Sequence, residues 1–549
     1  MGEKSNKRLA ALFISAAMAV PIGSANAAMD FETSVGSASQ VRADAPTGVA
    51  HLELVPQQVF TEPTVEVSPS VKLEVGSAAI KQAKSLQLMP ETATAVTAKR
   101  VGDSWTIKYK EKEAWRYGTV SLDANTGQPT AFQENFGSTY ILDGAPLVFL
   151  GEEKITYEEA AAIAEQYSES QGWMQDAEWM LDLYPQVVNL RFETTVYHKI
   201  RFDRSFAGIR YTPNSFDIWV DRETGEVKAH YVEWNETDFD VPKDMLPAVE
   251  AAAIFYREID PFLQWSYWFE NANDSNLLYA MLPVYTLDAG GELPKERNQE
   301  NPPFTDKIKP AYPMELAKKR LLSLYDLELH YLNDAPGKAS PYYQLRIKPG
   351  VPLFHSGEHP FIQARTGEWI DFGDDPVRVE LPPASDWLID AAVPESAVDY
   401  QATVVWNNKL LELKDIPIYE QGTILFPLRD LIAKLGANIR WDPVSRSVTV
   451  SKGGSTLELT IGSDTALVNG ELKKLRVPAR IENGRTYIPA RLVLESLGAK
   501  VGWHQGSRLV MVHTDPALPE LTAAEIGQIR FEAQLDWEEK MIGRHIVHD

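Results

Sequence analysis

The chain has 549 residues, enough for about three or four domains at roughly 100–200 residues each. Its 77 acidic and 53 basic residues give a formal charge of −24, and no Lys/Arg-rich run is present, which excludes a protein that tracks a nucleic-acid backbone. Cysteine is absent, so disulfides, thiolate catalysis, Cys-ligated zinc and iron–sulfur clusters are excluded together.

Lys4, Lys7 and Arg8 precede an uncharged apolar run from Leu9 to Val20, too short to span a bilayer, and Ala25-Asn26-Ala27 closes it with a small-x-small pattern. Residues 1–27 are therefore expected to be a signal peptide cut after Ala27. The mature protein is expected to be bacterial, secreted or on the cell surface, without a transmembrane segment. Residues 28–78 are rich in Ala, Ser, Thr, Val and Glu, with Pro46, Pro56, Pro63 and Pro69 interrupting any long element, and are read as a linker arm.

From 79 to 375 an amphipathic helix followed by antiparallel strands recurs. The repeats are marked by turns ending Thr-Gly: Asp123 to Gly127, Asp221 to Gly225, and Ala364 to Gly367. Asp at a turn start accepts backbone N–H bonds, and Gly supplies positive φ. Thr156 with Glu159 forms a capping box, after which Ala160, Ile163, Ala164 and Tyr167 share one face. Glu250 to Phe255 reads as a second helix, feeding strands Phe262–Phe269 and Asn276–Tyr285. A third helix opens at Pro313 and turns Ala317, Leu321 and Leu324 inward. The expected units are 79–150, 151–245 and 246–378 (the last a pair), with a linker at 379–398.

A sharper repeat follows. Pro427, Arg429, Leu435, Gly436, Trp441 and Val450 recur as Pro489, Arg491, Leu497, Gly498, Trp503 and Val512, each 62 residues later. Pro starts a short helix, Leu428, Leu431, Ile432 and Leu435 (or Ala490, Val493, Leu494 and Leu497) form its apolar stripe, and Gly ends it. Residues 399–515 thus form a duplicated small α+β domain. The tail 516–549 begins with a Thr522/Glu525 capping box and is expected to form one amphipathic helix through Trp537. The fold class expected overall is multidomain α+β.

With Asn469-Gly470, Pro-x-Arg, Leu-Gly-Ala and the following Trp, residues 399–515 resemble the bacterial copper amine oxidase N-terminal-like, or stalk, domain. Residues 79–375 resemble the YcdB/YcdC repeated domain, a relative of the PepSY unit, best at Asp221 to Val227; Gln363 stands where that family favours Asp. The first resemblance does not imply oxidase activity. The catalytic part of those enzymes needs an Asn-Tyr dipeptide and clustered histidines, and the chain has neither Asn-Tyr nor His-x-His. Together the resemblances imply an exported envelope protein whose PepSY-like units bind a protein or restrain a peptidase, while the stalk contacts a surface.

Candidate chemistry is sparse. His355-Ser356-Gly357-Glu358-His359 fits the inverted zinc-peptidase pattern, which needs both imidazoles on one helical face. Ser-Gly inside it, Pro360 after it, and Pro349-Gly350 and Pro352 before it make it a polar turn instead. His355, Glu358 and His359 stand as metal candidates for the alternative of a metal-assisted hydrolase. Trp265 in the row Leu263, Trp265, Tyr267 and Phe269, with Trp268 opposite, is read as a sheet face packed on its helix; a carbohydrate platform is the alternative. Trp441 and Trp503 are expected in the core. Arg429 and Arg491 oppose their helix dipoles, and an ion pair between copies is favoured over an anion site for wall polymer. No catalytic residue and no cofactor are assigned. The expected partners are cell-wall polymer or a secreted peptidase, and not nucleic acid.

Overall fold

The computed structural model describes residues 72–111, 116–136, 154–171, 177–182, 197–266, 277–295, 297–298, 309–353, 359–371, 375–378 and 380–546, and the architecture below is that of these residues. Among the described residues the buried core begins at Leu73, under Trp105, whose indole Nε1 donates to the Leu73 carbonyl at 3.0 Å. The last residues of the expected arm therefore belong to the fold, because Leu73 and helix α1 (Gly76–Ser85) supply apolar surface that the sheet needs. Ala79 and Ala83, one turn apart, face the antiparallel meander β1 (Ala95–Val101), β2 (Ser104–Glu111), β3 (Arg116–Asp123) and β4 (Pro129–Phe136). Helix α2 (Tyr157–Gln171) starts at the expected box: the Thr156 N–H donates to Glu159 at 2.9 Å, and the Glu159 N–H donates to the Thr156 hydroxyl at 3.2 Å. It buries Ala160 and Ala164 in the same cluster as the meander.

β5 (Glu178–Leu181), β6 (Tyr197–Phe206), β7 (Ile209–Asp221), β8 (Val227–Asn235) and β9 (Asp238–Phe239) follow. β8 pairs with β4 from Ala131↔Asn235 to Phe136↔His230, so the second group of strands extends the first sheet. Helix α3 (Ala248–Glu258) leads to β10 (Phe262–Trp265), β11 (Leu277–Ala280) and β12 (Val284–Leu287), and helix α4 (Met314–Leu322) leads to β13 (Tyr325–Ala335) and β14 (Lys338–Ile347). The strand expected at Asn276–Tyr285 is two strands: Pro283, which cannot donate to a ladder, separates β11 from β12, and the two enter different sheets. β13 joins β7 in parallel at His330↔Arg210, completing a 12-stranded sheet in the order β1-β2-β3-β4-β8-β7-β13-β14-β12, with β5, β6 and β9 attached to it. β15 (Phe361–Gln363) and β16 (Trp369–Ile370) pair with β10 and β11 in a separate four-stranded sheet.

The Thr-Gly turns share one chemistry. Asp123 accepts from the backbone N–H groups of Asn125 and Thr126, and Asp221 from those of Glu223 and Thr224. Gln363 does the same with its amide oxygen, at 2.6 Å from Arg365 N and 2.8 Å from Thr366 N. The longer side chain thus serves where Asp was expected.

The expected linker at 379–398 carries helix α5 (Asp386–Ala392), with Trp387, Leu388 and Ile389 buried. Next come β17 (Thr403–Trp406), β18 (Lys409–Leu411), β19 (Ile418–Glu420), β20 (Thr423–Pro427), α6 (Leu428–Leu435), β21 (Asn438–Asp442), β22 (Ser447–Lys452) and β23 (Ser455–Thr460). The sequence of elements then recurs as β24 (Thr465–Val468), β25 (Glu471–Lys474), β26 (Arg480–Glu482), β27 (Arg485–Pro489), α7 (Ala490–Ser496), β28 (Lys500–His504) and β29 (Leu509–His513). Each copy lends its first hairpin to the other's sheet. β17 pairs in parallel with β29, while β24 joins β21 and β22 through the added strand β23. One apolar cluster serves both copies.

Helix α8 (Ala523–Ile546) starts at the expected Thr522/Glu525 box and runs past Trp537. Its Glu538 pairs with Lys319 and its Glu539 lies 3.6 Å from Arg320, both in α4, which accounts for the extra turns. No helix of the described residues is long and apolar enough to cross a membrane. The architecture is mixed α+β.

Candidate functional site

Of the metal candidates, His355 and Glu358 lie outside the described residues. His359 is 3% exposed; its Nδ1 is 2.7 Å from the Pro360 carbonyl, and its Nε2 is 3.0 Å from the Met281 carbonyl and 3.1 Å from the Tyr325 hydroxyl. Both ring nitrogens face protein oxygens, so the imidazole fastens the 359–361 segment and offers no lone pair to solvent. Among the described residues no group of His, Asp and Glu could hold a metal ion. Trp265 is half-buried in β10 and packs on the central core; Trp268 lies outside the described residues. Arg429 and Arg491 are exposed at the second positions of α6 and α7, and neither is ion-paired among the described residues. The pair expected between copies does not form, because both cations reach solvent, where screening makes opposition to a helix dipole cheap. Trp441 is 43% exposed rather than buried, whereas Trp503, on the edge strand β28 as Trp441 is on the edge strand β21, is half-buried against the core of the duplicated module.

The polar chemistry that the structure does concentrate is buried and was not visible in local spacing. Tyr109, Gly118 and Glu134 stand in register across β2, β3 and β4. Gly118 has no side chain, so the Tyr109 ring crosses it and its hydroxyl donates to Glu134. Glu134 also receives Arg116 at 2.9 Å and His230 Nε2 at 3.1 Å, and His230 Nδ1 meets the Tyr167 hydroxyl at 2.8 Å. Burial raises the cost of the Glu134 charge, but donation by His230, Arg116 and Tyr109 outweighs it and holds the carboxyl below its ordinary range. Burial keeps His230 neutral, pushing its imidazole below the ordinary value against the pull of Glu134. Glu134 and His230 are 96 residues apart. The signal that could have found them is a Gly inside a strand flanked by polar strand residues.

A second cluster lies on β6 and β7. Arg201 donates to Asp203 at 2.9 Å and to Asp217 at 2.8 Å, and Arg210 donates to Asp203 at 2.8 Å. Burial pushes Asp217 up to about 6 despite Arg201. A third fastens α5: buried Lys348 donates to the Pro383 carbonyl and lies 3.2 Å from the Ser385 hydroxyl, which itself donates to Asp326. Burial lowers Lys348 to about 8, with Asp326 opposing the shift. A Ser beside a Lys has the residue types of a nucleophile pair. Here the hydroxyl is directed at Asp326 and the ammonium at a backbone carbonyl, so the pair holds α5 against β13 and β14. In the first two clusters the charged groups satisfy one another across strands, while in the third Lys348 and Asp326 are met by a backbone carbonyl and the Ser385 hydroxyl.

Residues 405–512 match the Copper amine oxidase N-terminal domain. Over 91 residues the chain is 32% identical to a protein named "Protease inhibitor" from Brevibacillus choshinensis, a stretch covering 16% of this chain and 28% of that protein. Over 74 residues it is 28% identical to a "Primary amine oxidase" of Klebsiella aerogenes, covering 13% and 10% of the two chains. The chain thus spans less than a third of either relative. Among solved structures, the Bacillus megaterium YpeB C-terminal domain aligns over 56% of this chain and 100% of its own at 11% identity and a TM-score of 0.21, a likeness that carries no argument.

Proposed function

We propose that this is an exported, non-catalytic protein of the bacterial envelope that binds and restrains a peptidase through its sheet-and-helix region at 72–378, with the duplicated module at 405–512 as the arm that meets the cell surface. The observation that carries the peptidase part of this reading is the 32% identity over 91 residues to a protein named a protease inhibitor, and its assignment to 72–378 rests on the PepSY-related resemblance of 79–375. The buried clusters support it, since Glu134, Asp203 and Lys348 are each engaged by partners within the fold. The match at 405–512 supports the arm, because the resembling domain is an accessory part of its enzymes. The repeated YcdB/YcdC-like character of 79–375 belongs to this proposal.

The test immobilises the mature chain and passes over it the peptidases secreted by the source organism. Restraint requires that a peptidase is retained, that casein hydrolysis by the retained enzyme is suppressed, and that the chain is recovered uncut. A chain that is degraded, or that retains nothing active, contradicts the proposal.

A further inference from the structure

The duplicated module carries a groove of about 310 Å3, within the roughly 300–1,000 Å3 of ligand pockets. Its walls are the segment 416–419 and the β26–β27 turn. Buried Pro417 and Tyr487 lie in its lining, and the Tyr487 hydroxyl is 3.4 Å from the Ile416 carbonyl. Tyr419, 53% exposed, presents its ring to solvent beside the groove. The side-chain amides of Gln401 and Asn483 also line it, and neither makes a hydrogen bond among the described residues. The lining contains one carboxylate, Glu482, and no cation. Arg480, two residues before Glu482, is already held by Glu420 and, at 3.0 Å, by Glu482.

The internal repeat shows that the scaffold does not require these aromatics. Sixty-two residues from Tyr419 stands Ile481, and 62 residues before Tyr487 stands Leu425, in the equivalent strands β26 and β20. Tyr419 thus comes from the first copy and Tyr487 from the second, and the positions that mirror them carry Ile481 and Leu425 in place of aromatics.

We propose that this groove binds an uncharged glycan chain, seating one or two pyranose rings. The apolar face of a pyranose stacks on Tyr419, and its hydroxyl or acetamido groups bond to Gln401, Asn483 and Glu482, which offer both donors and acceptors. An anionic wall polymer is disfavoured, since the groove offers it a carboxylate and no free cation. This site rests on the surface-contacting role proposed above for the module, and gives that role a ligand class.

The test titrates the full mature chain with tri-N-acetylchitotriose, cellotriose, polyphosphate and an uncharged extended decapeptide, read by calorimetry. A neutral trisaccharide binds saturably and polyphosphate does not. Tyr419→Ala and Gln401→Ala each weaken binding about ten-fold or more at unchanged Tm, while Tyr419→Trp and the counterpart change Ile481→Ala preserve it. Should Tyr419→Ala fail to fold, Gln401→Ala and Tyr419→Trp still decide. Absence of binding by both trisaccharides, binding indifferent to Tyr419 and Gln401, or binding of the peptide alone overturns the proposal. Peptidase restraint measured on the same samples separates the two failures: a chain that restrains a peptidase but binds neither sugar loses the groove and keeps the function.

Discussion

Phe426 lies directly opposite Ile488 in the antiparallel pair of β20 and β27, and the two are each other's counterparts in the 62-residue repeat. On either side, Leu425 faces Pro489 and Pro427 faces Tyr487, which are the same two pairs with the copies exchanged. A pseudo-two-fold axis therefore passes between Phe426 and Ile488. Both side chains are fully buried in the cluster that serves both copies.

It follows that neither copy holds a core of its own. Phe426→Ala should cost about 3–5 kcal/mol and Ile488→Ala about 2–5 kcal/mol. Because the side chains face each other, the double variant should fall short of the sum by about 0.5–3 kcal/mol. Hydrogen exchange would show protection lost across 403–513 in either single variant. Loss confined to one copy would show two independent cores.

Gly118 should not tolerate a side chain. A Cβ there would lie 2.4 Å from the Gln133 carbonyl and 2.7 Å from the Tyr109 hydroxyl. Gly118→Ala is expected to cost about 1–3 kcal/mol in urea unfolding by overpacking and by displacing the Tyr109 bond to Glu134. An unchanged midpoint would mean that the tyrosine does not cross the strand at that point.

The join between β4 and β8 should weaken in acid. Both relevant shifts are downward. His230 is neutral when folded, so the unfolded chain takes up a proton as pH falls through about 6.5, and stability falls with it. The contribution of Glu134 is present above its unfolded value of about 4.5 and is lost as pH falls toward its lower folded value. Tyr109, Arg116 and Tyr167 face the same pair. Denaturant midpoints between pH 7 and 5 should therefore decline, and His230→Gln should flatten the decline while lowering the midpoint at pH 7. An identical slope in the variant would remove His230 as its source.

Lys348 should act in the same direction, at higher pH. Its folded value near 8 lies below the unfolded value of 10.5, so between those limits the unfolded chain binds more protons, and stability rises with pH. Relative to Lys348→Met, the wild-type chain should gain about 2–3 kcal/mol between pH 8 and 10. Parallel profiles would show that the ammonium is not buried as described.

Local signals in the sequence marked local structure faithfully. Two capping boxes, three Thr-Gly turns and the 62-residue repeat are set by residues close in sequence, and each stands where its spacing places it. Long-range relations were not legible. The pairing of β4 with β8 and the cluster of Tyr109, Glu134 and His230 depend on strands far apart in the chain. Helix α5 was hidden because Trp387, Leu388 and Ile389 are consecutive and show no helical period. The exposure of Trp441 was not legible either, because Trp503 carries the same local pattern on an equivalent edge strand and is half-buried against the core.

Peptidase restraint is tested most directly by titrating the mature chain into a fixed amount of the source organism's secreted peptidase and following casein hydrolysis. Restraint without catalysis predicts a fall in activity that saturates at a fixed molar ratio, with the chain intact by mass at the end. Activity unchanged across the titration, or hydrolysis of casein by the chain alone, would contradict it.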